Sequence, residues 1–389
     1  MIRRKMKKAI ALSFALCFLI VSYSNYYGDV GLQLSDIETG IESGSGAYFG
    51  RSNVNEFTFK LELDVNASIC HWFHFKLENA SGQEVTFRIA NYDESLFGYN
   101  RRMRPVYSYD NENWSFIEDV RITNAFTFKQ RFERDTVWIA AATPYWYSRL
   151  GEYVDSIEGL PYVERESLGS SSDGHRIELL TITDQSTAPE GKQTIWITAG
   201  HHGSETSGMW VVKGLIDHIL SDPGLRRRYV WKINPMLNPD GVVEGYTRYD
   251  SDGCDLNREW DDGLEMELEI APVYEAMRGW LDENEIDLLA DFHCSGSYRP
   301  FAIVVPEEYA PPEYGDRLKS LLEYIQEFTD YDGVVRTTTQ GTVRVESFDL
   351  WGVLSVTLEM SESSVTKEYC MGQGALMARS IDTFLSSES

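Results

Sequence analysis

A histidine and a glutamate stand three residues apart where a strand-like pattern changes to a helix-like one. They are His202 and Glu205, within the sequence Gly-His-His-Gly-Ser-Glu of residues 200–205. An imidazole and a carboxylate at this spacing can bind one small cation, and catalytic zinc sites use three such protein ligands and keep one position open. The neighbouring His201 has Ser204 at the same offset. The spacing therefore selects His202, although so short a pair also arises by chance on a helix turn.

Other chemically useful residues follow three further predicted strands. His293 and Glu359 come directly after two of them, and Arg248 and Arg258 lie in a long segment after a third. Ligands bind beyond the carboxyl ends of strands in open α/β sheets. His293 can supply a third zinc ligand, Glu359 can face the attacking water, and a guanidinium suits a carboxylate. Each residue alone also fits a structural ion pair or an ordinary strand end, but their convergence on one sheet edge favours a catalytic site.

The elements that must position these residues begin after a serine-rich loop at residues 167–173. Strand-like runs then alternate with helix-like runs, which predicts an α/β domain with a mixed, mostly parallel sheet and helices on both faces. The predicted strands are residues 178–182, 193–198, 229–233, 288–292, 301–305 and 353–358. The predicted helices are residues 205–220, 265–284, 312–328 and 374–385.

Residues 55–142 have a different pattern of short aromatic-rich runs separated by turns, which is typical of a β-sandwich. The predicted strands are residues 57–63, 72–77, 85–90, 106–109, 126–132 and 137–141. His71 and His74 in this region are interpreted as packing or surface residues rather than metal ligands. The chain is therefore divided into a leader at residues 1–24, an all-β sandwich domain at 25–150 and a catalytic domain at 151–389.

The first 24 residues have the pattern of a secretion signal. Five basic residues precede an apolar run at residues 9–21, which is short for a membrane span, and Ser22 and Ser24 provide small residues for cleavage after Ser24. This pattern predicts an exported protein, periplasmic or secreted. The alternative is a protein anchored by an uncleaved N-terminal segment.

Composition limits the partners. The net charge of −26 argues against nucleic acid and against stable association with an anionic membrane. Only four cysteines follow residue 24, too few for a disulfide scaffold, although one or two bridges are compatible with an oxidising compartment. They are Cys70, Cys254, Cys294 and Cys370.

The order of these motifs resembles that of the zinc carboxypeptidases of the carboxypeptidase A superfamily. That order is His-x-x-Glu, Asn-Pro-Asp-Gly, Asp-Leu-Asn-Arg, a lone histidine and a late glutamate. The sequence is more similar to the cytosolic carboxypeptidase branch, which includes the tubulin deglutamylases and carries an N-terminal β-sandwich. The similarity lies in Trp72-Phe73-His74-Phe75, in the segment at residues 144–150 and in Gly341-Thr342-Val343-Arg344. It covers about residues 55–385.

The resemblance implies a hydrolase that removes the C-terminal residue of a peptide or protein with one Zn²⁺ per chain. By this resemblance His202, Glu205 and His293 are the metal ligands. Arg248 would polarise the scissile carbonyl and hold the oxyanion. Glu359 would be the general base and then the general acid.

The resemblance also assigns the substrate contacts. Asn257 and Arg258 would hold the terminal carboxylate. Arg344 would face an acidic side chain, so that the enzyme releases Glu or Asp, but a structural ion pair explains Arg344 equally well. Tyr246 stands where the branch usually has asparagine, which removes one expected substrate contact.

Two alternative functions stay open. An enzyme of the same fold can cut another amide, as a peptidoglycan-peptide carboxypeptidase or amidase or as an N-acyl amino acid deacylase, and the predicted export favours peptidoglycan. The other alternative is an inactive binding module, which the complete set of ligands, base and arginines argues against.

Overall fold

The structure is a computed structural model. It describes residues 31–67, 70–92, 103–123, 125–187, 191–261, 266–361 and 365–388. The predicted leader at residues 1–24 lies outside these ranges. From Leu32 onward the described residues belong to one structural unit, so the contacts between the β-rich part and the rest of the chain can be read directly.

The first ten described strands form two five-stranded sheets. They are β1 Ile37–Glu38, β2 Ala47–Asn53, β3 Glu56–Lys60, β4 His74–Leu77, β5 Glu84–Ile89, β6 Val106–Ser108, β7 Trp114–Phe116, β8 Asp119–Ile122, β9 Phe126–Arg131 and β10 Val137–Ala140. One sheet has the order β1-β4-β10-β6-β7 and the other β2-β3-β5-β9-β8. We call these ten strands and the segments that connect them the sandwich.

The core of the sandwich is aromatic. In β3 the residues alternate between exposed and buried, so Phe57 and Phe59 point inward. Phe59 contacts Phe73 and Phe75 edge-on, with ring centroids 5.3 and 5.6 Å apart. Edge-to-face packing suits the charge distribution of the rings. The alternation with period two therefore produces the predicted all-β sandwich.

Eight further strands form one mixed sheet, which we call the large sheet. They are β11 Val163–Ser170, β12 Arg176–Ile182, β13 Gln193–Ala199, β14 Tyr229–Asn234, β15 Leu288–Ser295, β16 Phe301–Val304, β17 Gly333–Arg336 and β18 Ser355–Ser361. Their order is β11-β12-β14-β13-β15-β18-β16-β17. The central strands β14, β13, β15 and β18 run parallel, and β12 and β16 pair antiparallel at their flanks.

Helices cover both faces of the large sheet, as predicted. The described α-helices are α1 Tyr147–Ile157, α2 Thr206–Ser221, α3 Pro223–Arg228, α4 Pro239–Val243, α5 Ala271–Leu281, α6 Pro312–Phe328, α7 Val343–Trp351 and α8 Lys367–Glu388. In β13, Ile195 and Ile197 join the core beneath α2, α6 and α8, whereas Trp196 joins the core beneath α5. This confirms the predicted fold class of an α/β domain preceded by a β-sandwich.

Some elements differ from the prediction. The predicted serine-rich loop begins inside β11, a polar edge strand that pairs with β12 from Val163 to Ser170. Backbone pairing, rather than an apolar pattern, makes this segment a strand. The helix α7 was not predicted, because Arg344 and Glu346 are buried on it and it lacks the usual apolar stripe. Residue 150, the predicted domain boundary, lies within α1.

Candidate active site

The first two predicted ligands lie in the turn between β13 and α2. Gly200 begins this turn with a φ of +71°, and a Cβ there would lie 3.1 Å from the Cα of Met236, so the turn requires glycine. Glu205 immediately precedes the first residue of α2. Its Oε1 lies 2.7 Å from Nδ1 of His202. The two side chains therefore point at the same place, as their spacing predicted.

The third ligand and the proposed base are neighbours on adjacent strands. β15 and β18 pair in parallel with His293 directly opposite Glu359. The Nδ1 of His293 lies 2.7 Å from Oε2 of Glu205. Both strands extend three residues beyond their predicted ends, so His293 and Glu359 lie within the sheet rather than after it. Strand register, which the sequence does not reveal, brings them together.

Two aspartates that the sequence analysis did not select orient the imidazoles. Oδ1 of Asp255 lies 3.1 Å from Nε2 of His202, and Oδ2 of Asp291 lies 2.9 Å from Nε2 of His293. A carboxylate on the far nitrogen of a histidine is the usual second partner of a metal-binding imidazole. Asp291 was detectable, because it precedes His293 by two residues and so faces the same side of the strand.

This donor set fits a zinc ion. His202, Glu205 and His293 offer ligand atoms within 4.8 Å of one another, and two imidazoles with one carboxylate match a catalytic zinc site. Burial opposes charge here, yet Asp291 and Glu205 raise the pKa of His293 well above its ordinary value. Burial likewise opposes ionisation of Glu205, but the two imidazoles hold its pKa well below its ordinary value. The surroundings thus favour positive charge between the ligands.

His201 belongs to a second possible metal group, with Asp291 and His293. Its Nδ1 lies 3.2 Å from Oδ1 of Asp291, and its Nε2 accepts a hydrogen bond from the indole of Trp260 at 3.1 Å. Burial lowers the pKa of His201. Because Trp260 occupies one ring nitrogen and Asp291 lies beside the other, we interpret His201 as a structural neighbour of the site.

All eight predicted site residues border one cavity of about 210 Å³. They are His202, Glu205, Arg248, Asn257, Arg258, His293, Arg344 and Glu359. The large sheet supplies the floor through β15 and β18, and the segments after β13 and β14 supply one wall. The cavity therefore gathers a metal donor set, an additional carboxylate and three arginines.

Glu359 has the protonation behaviour of a general base. Burial, followed by the negative charge of Glu205, raises its pKa to about 8. Its Oε2 has no hydrogen-bond partner among the described residues. A divalent cation beside it would lower this pKa, because opposite charge favours the ionised form. A carboxylate with a pKa near neutrality can both take and return a proton.

The sandwich contributes to this site through Asp64. This buried carboxylate accepts three backbone hydrogen bonds, from Thr247 at 2.7 Å, Arg248 at 2.6 Å and Tyr249 at 3.0 Å. The side chain of Arg248 in turn donates from Nε to Oδ2 of Asp255 at 2.8 Å. Asp64 and Arg248 are 184 residues apart in sequence, so no local pattern predicts this contact.

Asn257 and Arg258 lie on a short 3-10 helix, Leu256–Arg258. Oδ1 of Asn257 accepts from the backbone of Val343 at 3.2 Å, and its Nδ2 lies 3.0 Å from Nε2 of His293. The Nδ2 amide group can donate to a ligand in the cavity. Gly341, with a φ of +73°, packs directly on the backbone of Arg258 and leaves no room for a side chain. These contacts tie the start of α7 to Arg258.

Arg344 is a buried cation that lacks an acidic hydrogen-bond partner among the described residues. Its Nη1 donates to the carbonyl of Thr337 at 3.0 Å, and its Nε has no hydrogen-bond partner among the described residues. It forms no ion pair in the part of the chain that the structure describes, whereas Arg165, for example, pairs with the buried Glu178 at 2.6 Å. Burial lowers the pKa of Arg344 to about 10. Its side chain therefore borders the cavity with one of its donors unused.

Comparisons with known proteins agree with this geometry. Residues 160–305 match the domain family described as zinc carboxypeptidase, and residues 37–141 match the cytosolic carboxypeptidase N-terminal domain. These two matches confirm the resemblance to the zinc carboxypeptidases. Within the class, the chain carries the domain pair of the cytosolic carboxypeptidase branch. Arg344 and Glu359 lie beyond the matched residues.

Relatives carry the same names. Cytosolic carboxypeptidase 6 of Mus musculus is 35% identical over 231 residues, which is 52% of this chain and 43% of that protein. Cytosolic carboxypeptidase 3 of Bos taurus is 28% identical over 300 residues, 66% of this chain and 30% of that protein. The chain therefore spans less than half the length of these relatives.

Solved structures share the fold. The metallo-carboxypeptidase of Burkholderia cenocepacia superposes with a TM-score of 0.82 at 24% identity, over 91% of this chain and 99% of that chain. The metallo-carboxypeptidase of Pseudomonas aeruginosa, in complex with (2-guanidinoethylmercapto)succinic acid, has a TM-score of 0.79 at 22% identity, over 89% and 98%. At these identities the likeness establishes the fold alone.

The prediction of an exported protein is wrong. The relatives are named cytosolic carboxypeptidases, and the domain matched by residues 37–141 is the N-terminal domain of that branch. The leader pattern on which the prediction relied falls outside the described residues. Within those residues, no helix combines the length and hydropathy needed to cross a membrane. Among the described residues, Cys70, Cys254, Cys294 and Cys370 form no disulfide.

Proposed function

We propose that the chain is a zinc-dependent carboxypeptidase that releases an acidic residue, Glu or Asp, from the C-terminus of a peptide or protein. The observation that carries the acidic specificity is Arg344, a buried cation without an acidic partner in the described residues, at the edge of the cavity that holds the ligand set. A substrate carboxylate would supply the missing partner.

The cavity can position a C-terminal residue by two cationic contacts. Arg258 and Asn257 hold the terminal carboxylate, since a guanidinium and an amide both donate to carboxylate oxygens. Arg344 receives the acidic side chain of the same residue. The scissile carbonyl then lies toward Arg248, which its bond to Asp255 and the anchoring of its backbone by Asp64 hold in place.

His202, Glu205 and His293 would hold the zinc ion. When bound, zinc lowers the pKa of an attacking water to about 7 and polarises the scissile carbonyl. Glu359 takes the proton of that water and then passes it to the leaving amine. Arg248 donates to the carbonyl oxygen as negative charge develops there, a role for which one donor is typically worth about 3 kcal/mol.

The specificity is tested with peptides that differ only in the C-terminal residue. The wild type should have its highest kcat/KM on Glu or Asp termini. Arg344→Ala should lower kcat/KM on a Glu terminus by roughly 10- to 150-fold, the effect of losing a hydrogen bond to a charged group worth about 1.5–3 kcal/mol. Activity on an alanine terminus should change little.

Arg336→Ala is the matched control, because Arg336 is a largely exposed arginine on β17 that lies 3.5 Å from Glu307 and does not border the cavity as described. It should leave the preference unchanged. A wild-type preference for Leu, Phe, Lys or Arg termini that Arg344→Ala does not alter would refute the acidic specificity and leave the zinc chemistry standing.

The requirement for a free C-terminus is tested separately. Amidating the C-terminus of a good substrate should abolish turnover, because Arg258 and Asn257 lose their charged partner. Equal cleavage of the acid and the amide would instead indicate an endopeptidase or an amidase. Muropeptides digested in parallel test the peptidoglycan alternative, for which the predicted export was the main support.

A further inference from the structure

A second cluster of ionisable groups lies in the loop between Arg248 and Asp255. Asp250 is fully buried, and its Oδ1 accepts the backbone N–H groups of Asp252 at 3.0 Å and Cys254 at 2.7 Å. Its Oδ2 is buried and has no hydrogen-bond partner among the described residues. A buried carboxylate oxygen left in this state carries the full cost of its lost hydration.

Two further donor groups lie beside Asp250. Sγ of Cys254 lies 3.1 Å from Oε1 of Glu267, and the ligand atoms of Asp250, Cys254 and Glu267 all lie within 4.8 Å of one another. Across the described ranges, no lysine, arginine or histidine forms an ion pair with any of the three. The neighbouring Glu269 is also fully buried with an unpartnered Oε2. The cluster thus concentrates negative charge without a cation.

Without an ion-paired cation among the described residues, the pKa values of Asp250 and Cys254 are raised. Burial and the negative charge of Glu267 raise the pKa of Asp250 to about 6. Burial and the bond to Glu267 raise the pKa of the Cys254 thiol to about 12. A divalent cation would reverse both effects, because it stabilises thiolate and carboxylate alike.

We propose that Asp250, Cys254 and Glu267 form a second metal site that binds Zn²⁺ and has a structural role. The thiol favours zinc over calcium or magnesium, which prefer oxygen ligands alone. On binding, Cys254 releases its proton to solvent and coordinates as thiolate. Small side-chain rotations bring the three atoms to bonding distances of about 2.0–2.3 Å.

The position of the loop suggests what a bound ion would stabilise. Arg248 lies two residues before Asp250, and Asp255 directly follows Cys254. Asp255 contacts both His202 and Arg248. An ion held by the loop and by Glu267 from a separate segment would fix the conformation between these two residues. The second site shares no ligand with the active site, so the two can be loaded and removed independently.

Metal content tests the proposal directly. The full chain, loaded with excess Zn²⁺ and then dialysed exhaustively, should hold two zinc ions per chain by mass spectrometry of the metal. Cys254→Ser and Asp250→Asn should each hold one. His293→Ala should also hold one, and the double variant with Cys254→Ser should hold none. Asp252→Asn, an exposed carboxylate in the same loop, is the matched control and should keep two.

Cobalt identifies the ligand. Co²⁺ bound to a thiolate has a sulfur-to-metal charge-transfer band in the near ultraviolet that imidazole and carboxylate ligands do not produce. The band should appear in the cobalt-loaded wild type, His293→Ala and Asp252→Asn proteins, and it should be absent from Cys254→Ser. Circular dichroism checks that each variant is folded, and Glu267→Gln provides a third variant should Cys254→Ser misfold.

The following combination of results would contradict a second metal site. One zinc ion in the wild type, no charge-transfer band, and unchanged metal content in Asp250→Asn, Cys254→Ser and Glu267→Gln would overturn the proposal. The cluster would then be a metal-free network of hydrogen-bonded side chains. Asp250→Asn would in that case raise the melting temperature at neutral pH without changing any metal count.

Discussion

The sandwich and the large sheet bury different kinds of side chain. The sandwich core consists largely of phenylalanine rings, as in the contacts of Phe59, and the buried acidic and basic side chains among its described residues are Asp64 and His74. The large sheet buries ionisable groups in quantity at the end of its parallel strands. They include Glu178, His201, His202, Asp240, Asp291, His293 and Arg344.

This difference suggests that the sandwich core contributes mainly to stability, whereas the buried charges near the large sheet contribute mainly to the candidate site. Aromatic burial stabilises the sandwich without demanding particular partners, so its contribution is spread over many contacts. Buried charges are costly unless each is paired or binds a ligand, so they persist where they serve a site. Asp64 is one of the contacts between the two regions, a buried sandwich carboxylate whose partners are backbone groups beside Arg248.

The largest expected effect is on chemistry in the large sheet. Glu359→Gln should lower kcat roughly 10²- to 10⁴-fold, the usual contribution of a general base. Zinc content and melting temperature should remain close to wild type, whereas His202→Ala, Glu205→Ala or His293→Ala should lose zinc and activity together. Steady-state kinetics with metal analysis measures both. Glu368→Gln, an exposed carboxylate in α8, is the control, and full activity of Glu359→Gln would exclude it as the base.

The next effect is on stability in the sandwich. Phe59→Ala removes a fully buried ring with several aromatic neighbours, which should lower the free energy of unfolding by about 3–5 kcal/mol. Denaturant unfolding measures the loss. The folded protein should keep the wild-type kcat at a temperature well below its melting transition. A large fall in kcat with unchanged stability would show that the sandwich core affects catalysis directly.

A smaller effect is the pH dependence contributed by His74. Burial among Trp72, Trp114 and Trp146 lowers its pKa to about 4. The unfolded chain therefore binds this proton at a higher pH, near 6.5. The stability from His74 is complete above pH 6.5 and is lost as the pH falls toward 4, by up to roughly 3 kcal/mol.

His74→Phe should reduce this loss, because it keeps the ring packing and removes the titration. Unfolding free energies at pH 7, 5.5 and 4.5 measure the slope. His218→Gln, a substitution on α2 far from the sandwich core, should keep the wild-type slope. Identical slopes for wild type and His74→Phe would show that the stability does not depend on His74.

The smallest expected effect concerns the contact between Asp64 of the sandwich and the backbone around Arg248. Asp64→Ala removes the acceptor of three backbone hydrogen bonds around Arg248. A shift of about 1 Å in a catalytic group can cost 10²-fold in rate, so we expect a fall in kcat of roughly 10- to 100-fold with a smaller change in KM. Zinc content should not change.

Glu62→Ala is the matched control, because Glu62 is an exposed carboxylate two residues from Asp64. If Asp64→Ala lowers stability but leaves kcat at the wild-type value, the sandwich does not position Arg248. An equal loss of kcat in Glu62→Ala would assign the effect to charge rather than to the hydrogen bonds.

The sequence by itself determined the features that depend on neighbours in the chain. The spacing of His202 and Glu205 places two ligands on one turn, and the alternation around Phe59 places rings on one face of a strand, since both follow from local geometry. The order of the later motifs identified His293 and Glu359. The eight site residues chosen from these patterns all border one cavity.

Only the tertiary structure decided the contacts between distant segments. The register of β15 on β18 sets His293 opposite Glu359, and the packing of the sandwich brings Asp64 to Arg248 across 184 residues. The burial of Arg344 without an acidic partner likewise depends on segments that surround α7. Such pairings depend on how packed sheets and helices meet, and residue types along the chain carry no signal for that geometry.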